Sequence, residues 1–317
     1  MIDDAMIGRE SGQPSAGSRR SPSRGAAKAA CPPRETGKKR RANPLKRRWL
    51  QLFLSGLVLL FLVERTLVAT GDPNYIPSAI LLGAFLVPVT FTTYLYERLP
   101  DWEVPLPPLA ICFVWGGVLG TVVAGALEYD VMKSLGLLPK LGIGVIEEGA
   151  KLIVPLVFFF LGRYRSEAAG IVLGVASGMG FAAFETMGYG FVSLLQSRGN
   201  LVFVDWVLLL RGLISPAGHA SWTGLVCAVL WRERLKAGHS VLNWSVAAAF
   251  LTAVILHSLW DILASSESST VVESAVMGSL SLLVALVSLT LLIRRVREAR
   301  QVEGPNPDVP SETKSQR

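Results

Sequence analysis

The sequence predicts an all-α protein, a polytopic transmembrane helix bundle of about eight spans with both termini cytoplasmic. Three observations predict it. Of 317 residues, 51% are hydrophobic and only 17% charged, against about 25% charged in a soluble domain. The mean hydropathy is +0.45. The apolar residues fall into eight runs long enough to cross a hydrocarbon core of about 30 Å. These are 49–69, 75–96, 107–127, 141–162, 168–192, 212–231, 241–263 and 271–293.

Before the first run, residues 1–48 form a basic tail with 13 Lys and Arg against 4 Asp and Glu. The rest of the chain is close to neutral, so the net charge of +7 belongs to the tail. Rich in Ser, Gly, Pro and Ala, with no hydrophobic period, the tail is expected to be disordered. Its last stretch, KKRRANPLKRR, abuts the first apolar run. It reads as a positive-inside signal with anionic lipid as a partner; nucleic acid is not an expected partner. The tail is too long for the n-region of a cleavable signal peptide. The three cysteines, Cys31, Cys112 and Cys227, form no CxxC, so neither a disulfide framework nor a thiolate zinc site is expected.

Charge also orders the spans. With the tail inside, the even-numbered spans exit to the cytoplasm. RYR (163–165), WRERLK (231–236) and RRVREAR (294–300) follow the later ones. The loop 97–106 is the exception, with one Arg against three acids. The whole is expected as a multi-pass protein of the cell (inner) membrane, with a transmembrane domain at 49–295 and a polar cytoplasmic tail at 296–317. A ninth apolar piece, LVFVDWVLLL (201–210), is too short to span. It is interfacial, re-entrant, or an extension of the sixth helix, with Asp205 and Arg211 as interfacial anchors. Two helices carry small residues four apart, Gly116, Gly120 and Ala124, and Gly170, Gly174, Gly178 and Ala182. Such faces let membrane helices approach closely.

Ionisable groups inside the runs are costly and mark functional sites. Run four carries Glu147, Glu148 and Lys151, run five Glu185, run six His219, and run seven His257 and Asp261. At 1.5 Å per residue from each cytoplasmic end, the two glutamates lie at roughly 21–22 Å. By the same measure Glu185 lies at about 26 Å, His219 at about 18 Å, His257 at about 24 Å and Asp261 at about 30 Å. Four helices thus place them in one layer, in the outer half of the bilayer. Glu147 and Lys151 share a helix face, as do His257 and Asp261, and Phe181 and Glu185, each pair at i,i+4. Pro155 should free the carbonyl of Lys151 from its helical hydrogen bond and loosen the charged turn, admitting water.

Each residue alone has a plainer reading. Glu147 and Lys151 suit a structural ion pair, His219 beside Trp222 and Thr223 a packing histidine, and Asp261 an interfacial group. Together they would need four unrelated coincidences at one depth. Carboxylates and histidines around a water-accessible cavity suit hydrolysis, with a carboxylate as general base and histidines on the oxyanion. Ser215 and Ser221 flank His219 without a serine-hydrolase signature, so water is the expected attacking group. H-E-x-x-H is absent, as is any pair of histidines four apart. No cofactor is therefore favoured, with zinc as the alternative.

EEGAK (147–151), FAAFE (181–185), SPAGHASWTG around His219 and HSLWD (257–261) follow one another on successive runs. In this order they resemble the PrsW family of polytopic intramembrane proteases, relatives of the CAAX prenyl proteases and Abi proteins. The resemblance covers residues 45–295. It implies an intramembrane protease of a family described both as metalloproteases and as glutamic-type proteases; with no zincin signature in the chain, the glutamic type is favoured. Of the two glutamates it implies Glu147 as the best candidate for the base on water, with Glu148 as its partner or a structural pair for Lys151, and His219 and His257 on the scissile carbonyl or its oxyanion. Lys151, Phe181, Glu185 and Asp261 would support them. Under a metal mechanism the ligands would come from Glu148, Glu185, His219 and His257. Three departures from the CAAX pattern, at Lys151, Glu185 and Asp261, place the chain on the PrsW side. The implied substrate is a single-span membrane protein, an anti-sigma factor in the family's type member, cut near its extracytoplasmic side. Two other readings stand beside this one. A transporter or proton relay would use the same buried groups, although no inverted repeat is visible. A non-catalytic scaffold would keep them for packing.

Overall fold

The computed structural model describes residues 47–99, 104–134, 139–237, 243–266 and 270–302. The basic tail up to residue 46 and the stretch from 303 onward lie outside the described residues. Among the described residues there is no strand. The chain runs α1 (Arg48–Thr70), a single 3-10 turn at Pro73–Tyr75, α2 (Ile76–Arg98), α3 (Leu106–Ser134), α4 (Pro139–Lys151) and α5 (Ile153–Leu161). It continues through α6 (Glu167–Gln196), α7 (Leu201–Ile214), a π-helical segment at Pro216–Ala220, α8 (Ser221–Ala237), α9 (Trp244–Ala264) and α10 (Val271–Val302).

Seven of these helical stretches are long and apolar enough to cross a membrane. The fourth apolar run of the sequence differs, being split into α4 and α5 at Leu152. Neither half is long enough to span alone. The ninth apolar piece becomes α7 and lengthens the sixth span, giving one stretch from Leu201 to Lys236. At the C-terminal end, α10 carries helix through Val302.

Helix ends follow local chemistry. Ser166, Asn200 and Asn243 cap α6, α7 and α9 by accepting from the backbone N–H three residues on. Gly71 and Gly162 end α1 and α5 in the left-handed region, at φ 64° and 68°, where a residue without Cβ carries no steric cost.

The centre of the bundle is α6, buried at every residue from Glu167 through Ala183. Both small-residue faces pack against or from it. Gly170 and Gly174 let α8 come close at Trp231 and Cys227, and Gly178 admits the backbone of His219. Gly116, Gly117 and Gly120 of α3 meet Ser177, Gly180 and Phe181 of α6. On the outer helices, Val58 and Phe61 of α1 and Leu282 and Leu283 of α10 are exposed, as side chains facing lipid should be. At the end of the bundle where α6 begins, Arg295 of α10 pairs with Glu167 at 3.6 Å. Nearby, Asn243 donates to Glu233 of α8 at 2.7 Å.

The tightest approach is at Gly180, where an added Cβ would lie 1.9 Å from the carbonyl oxygen of Phe113. That neighbour is backbone and cannot rotate away. Gly180→Ala therefore forces α3 and α6 apart, an overpacking cost of about 1–3 kcal/mol or more. A lowered unfolding temperature in detergent reads it. Gly278→Ala on α10, where a Cβ meets nothing within 4 Å, is the matched control and leaves that temperature unchanged or raised.

Candidate active site

The site begins at the break between α4 and α5. Pro155 has no N–H to give the carbonyl of Lys151. Ser177 of α6 supplies the missing donor, its Oγ lying 2.6 Å from the Lys151 oxygen. The freed carbonyl is thus satisfied by a side chain from the central helix. Ser177→Ala orphans it in a fully buried place, at a cost of about 1–3 kcal/mol. The variant should unfold at a lower temperature.

One turn of α4 then projects three charges inward. Lys151 is 0% exposed. Its Nζ lies 3.0 Å from Glu147 Oε2 and 2.8 Å from Glu148 Oε1. The ammonium also sits 4.2 Å above the Phe181 ring, so its remaining side faces an aromatic cloud. One cation therefore serves both glutamates, and the expected Glu147–Lys151 pair is half of a three-charge unit.

Glu148 is the more enclosed carboxylate. Its Oε1 also meets His257 Nδ1 at 2.9 Å, and Thr223 Oγ1 donates to its Oε2 at 3.5 Å. His257 turns its other nitrogen toward Glu147 Oε2 at 3.5 Å and Asp261 Oδ2 at 3.4 Å. The i,i+4 spacing of His257 and Asp261 is thus realised. Trp222 fixes the plane of His257, stacking on it at 4.5 Å with 16° between the rings. Trp222 is itself held by its indole N–H, which donates to Ser288 of α10 at 2.9 Å.

Glu185 and His219 form the opposite wall. His219 lies in the π-helical segment, where the Ala220 N–H reaches back five residues to Ser215. Such segments concentrate at functional sites because they rotate a side chain out of helical register. His219 Nε2 lies 3.2 Å from Glu185 Oε2, and Arg211 of α7 lies 2.8 Å from the same oxygen. Arg211 is braced over the Tyr189 ring at 3.8 Å. It is therefore no interfacial anchor: the π segment continues α7 into α8 and carries Arg211 into the site. The other nitrogen of His219, Nδ1, is buried and has no hydrogen-bond partner among the described residues. His219 and His257 meet edge to face, 5.8 Å between ring centres.

A cavity of about 410 Å³ opens against these groups, lined among others by Glu128, Glu147, Glu185, Arg211, His219 and His257. Asp261 also reaches it, whereas Glu148 and Lys151 do not. The cavity lies toward the end of the bundle where α4 begins and α9 ends, at Lys140 and Ser265. All seven ionisable residues expected at the site are brought together. Phe181 supports it as the ring beneath Lys151. Ser215 and Ser221 take no part, because their hydroxyls donate to the backbone of Gly212 and Pro216. Asp205 lies apart, in a small pocket with Glu64 between α1, α2 and α7.

Residues 104–292 match the model of the PrsW family, described as intramembrane metalloproteases. The chain belongs to the PrsW family. The match spans α3 to most of α10 and so contains every residue of the site, while α1 and α2 precede it. No curated protein and no solved structure matches the chain. As a PrsW family member with seven apolar membrane-length helices among its described residues, the chain is a multi-pass intramembrane protease.

The family's description names a metal, and the donors here can be tested for one. Among the described residues, no three or more His, Cys, Asp and Glu side chains gather as a metal-binding group. The four expected ligands divide into two pairs, His257 with Glu148 and His219 with Glu185. The closest convergence is Glu147, His257 and Asp261, but the Glu147 oxygen facing His257 already meets the Lys151 ammonium at 3.0 Å. As arranged, these residues do not fit a metal centre.

Proposed function

We propose that this PrsW family member is an endopeptidase that hydrolyses a peptide bond of a single-span membrane protein with water activated by Glu147. The observation that carries this is the division of labour within EEGAK. Glu148 is spent on Lys151, His257 and Thr223, whereas Glu147 shares the same cation and still reaches the cavity.

Glu147 reaches the cavity with the Lys151 ammonium 3.0 Å from its Oε2, and there it takes a proton from water. The oxygen of that water bonds to the scissile carbon, and the carbonyl oxygen becomes an oxyanion. His219 and His257 line the cavity beside Glu147 and donate to that oxyanion. Arg211 acts through Glu185, orienting His219 from behind. The proton on Glu147 passes to the leaving nitrogen as the C–N bond breaks. One water is consumed, and a carboxylate and an amine are produced.

With the termini on the cytoplasmic face, as the charged loops favour, the cavity opens toward the outer half of the bilayer. That supports a cut near the extracytoplasmic side of a membrane-anchored substrate such as an anti-sigma factor, in a cell (inner) membrane. A proton relay is the rival reading, since one cavity collects Glu, His and Asp.

Two measurements on the purified chain in liposomes separate the readings. Cleavage of a single-span reporter should persist in chelator, with no stoichiometric metal by elemental analysis, and should fail in His219→Ala. Cleavage lost to chelator and restored by zinc would overturn the glutamate mechanism. Glu147-dependent proton flux without cleavage would replace the protease with the relay.

A further inference from the structure

Glu128 lies near the end of α3, one turn beyond Ala124, which packs with Ala150 and Phe181. Four residues apart, Ala124 and Glu128 share a helix face, so the carboxylate points toward α4 and α6. It lines the 410 Å³ cavity and also a neighbouring cleft of about 380 Å³ between α3 and α6. Glu147, Glu185 and Tyr189 line both as well, so the two spaces adjoin at the candidate base. The cleft has room along its floor: a Cβ at Gly125 or Gly188 would meet nothing within 4 Å.

Among the described residues, the charges around this space do not balance. Four carboxylates line the cavity, Glu128, Glu147, Glu185 and Asp261, against the cations Lys140 and Arg211. Glu147 has Lys151, Glu185 has Arg211 and Asp261 faces His257. Lys140 is bonded to Ser265. Glu128 has no such partner among the described residues. Its Oε1 is buried and makes no hydrogen bond among the described residues. A buried acceptor left unpaired is costly, and in native proteins each one calls for an explanation. Its place on two adjoining spaces of about 410 and 380 Å³, both also lined by Glu147, supplies one.

We infer that Glu128 is a substrate-binding residue that pairs with a Lys or Arg side chain flanking the scissile bond, so that the enzyme selects basic sequences at its cleavage site. This rests on the protease reading above. The substrate enters through the cleft between α3 and α6, and its cation completes the charge balance as the bond reaches Glu147. Complementary charge of this kind sets specificity more than raw affinity.

The test uses the full chain in liposomes and three single-span reporters that differ only in carrying Lys, Gln or Glu beside the cleaved bond. Wild type should cleave the Lys reporter about tenfold faster than the Gln reporter in kcat/KM. Glu128→Gln should remove that preference, and Glu128→Lys should put the Glu reporter ahead. A purely structural Glu128 would instead lower all three reporters together and keep their order, which overturns the proposal. Should the variants fail to fold, equal rates for wild type on all three reporters overturn it as well. If wild type cuts no reporter in a Glu147-dependent way, the protease reading itself fails, a result distinct from cutting without preference.

Discussion

Glu147→Gln should lower the cleavage rate by about 10²–10⁴-fold, the contribution of a positioned general base, while the protein stays folded. The structure supports both halves of this expectation. Glu147 reaches the cavity, so its carboxylate is the one that water can meet. Its loss leaves Lys151 still neutralised by Glu148 at 2.8 Å. Glu148→Gln should behave in the opposite way. Glu148 is 1% exposed and accepts from Lys151, His257 and Thr223, so an amide there turns one N–H₂ toward donors. Stability and activity should fall together in that variant. Unfolding temperature and single-turnover rate, measured side by side, separate the two glutamates. A Glu147→Gln protein that cleaves at the wild-type rate, or one that unfolds as readily as Glu148→Gln, would contradict the assignment.

Lys151→Met should cause the largest loss of stability in the molecule. Methionine keeps much of the length and the contact with Phe181, but it removes the cation between two buried carboxylates. Breaking a buried pair from one side costs about 3–5 kcal/mol, because the other charge is left uncompensated. Here two charges are left, so the variant should unfold far below wild type or fail to accumulate. Lys151→Arg should not rescue it, since the site is closed and a planar guanidinium differs in shape from an ammonium. Lys151→Met combined with Glu148→Gln should recover part of the loss, because the second change removes one orphaned charge. That non-additivity is the signature of direct coupling. Equal unfolding temperatures for wild type and Lys151→Met would contradict the three-charge unit.

Much of the site was legible because a membrane makes polar residues conspicuous. Glu147, Glu148, Lys151, Glu185, His219, His257 and Asp261 each interrupt an apolar run; the structure gathers them into one cluster, with all but Glu148 and Lys151 lining the cavity. In the sequence Arg211 looks interfacial because the sixth apolar run begins at residue 212. Reading 201–236 as one stretch would have placed that arginine inside it, as the structure does. Glu128 escaped for a similar reason, standing just past the end of the third apolar run. Ser177 had no signal of its own. A serine among glycines and alanines looks like packing until the carbonyl freed by Pro155 is found 2.6 Å away. The stacking of Trp222 on His257 is likewise a product of tertiary contact. The helix break was half visible, since Pro155 marked it without saying that α4 would end at Lys151.

The central claim is that this cavity hydrolyses a peptide bond with Glu147 as the base. Mass spectrometry of a single-span reporter incubated in liposomes with the purified chain tests it most directly. The account predicts two fragments from wild type whose masses together exceed the reporter by one water, and an intact reporter with Glu147→Gln. An intact reporter with wild type, or the same two fragments with Glu147→Gln, would contradict it.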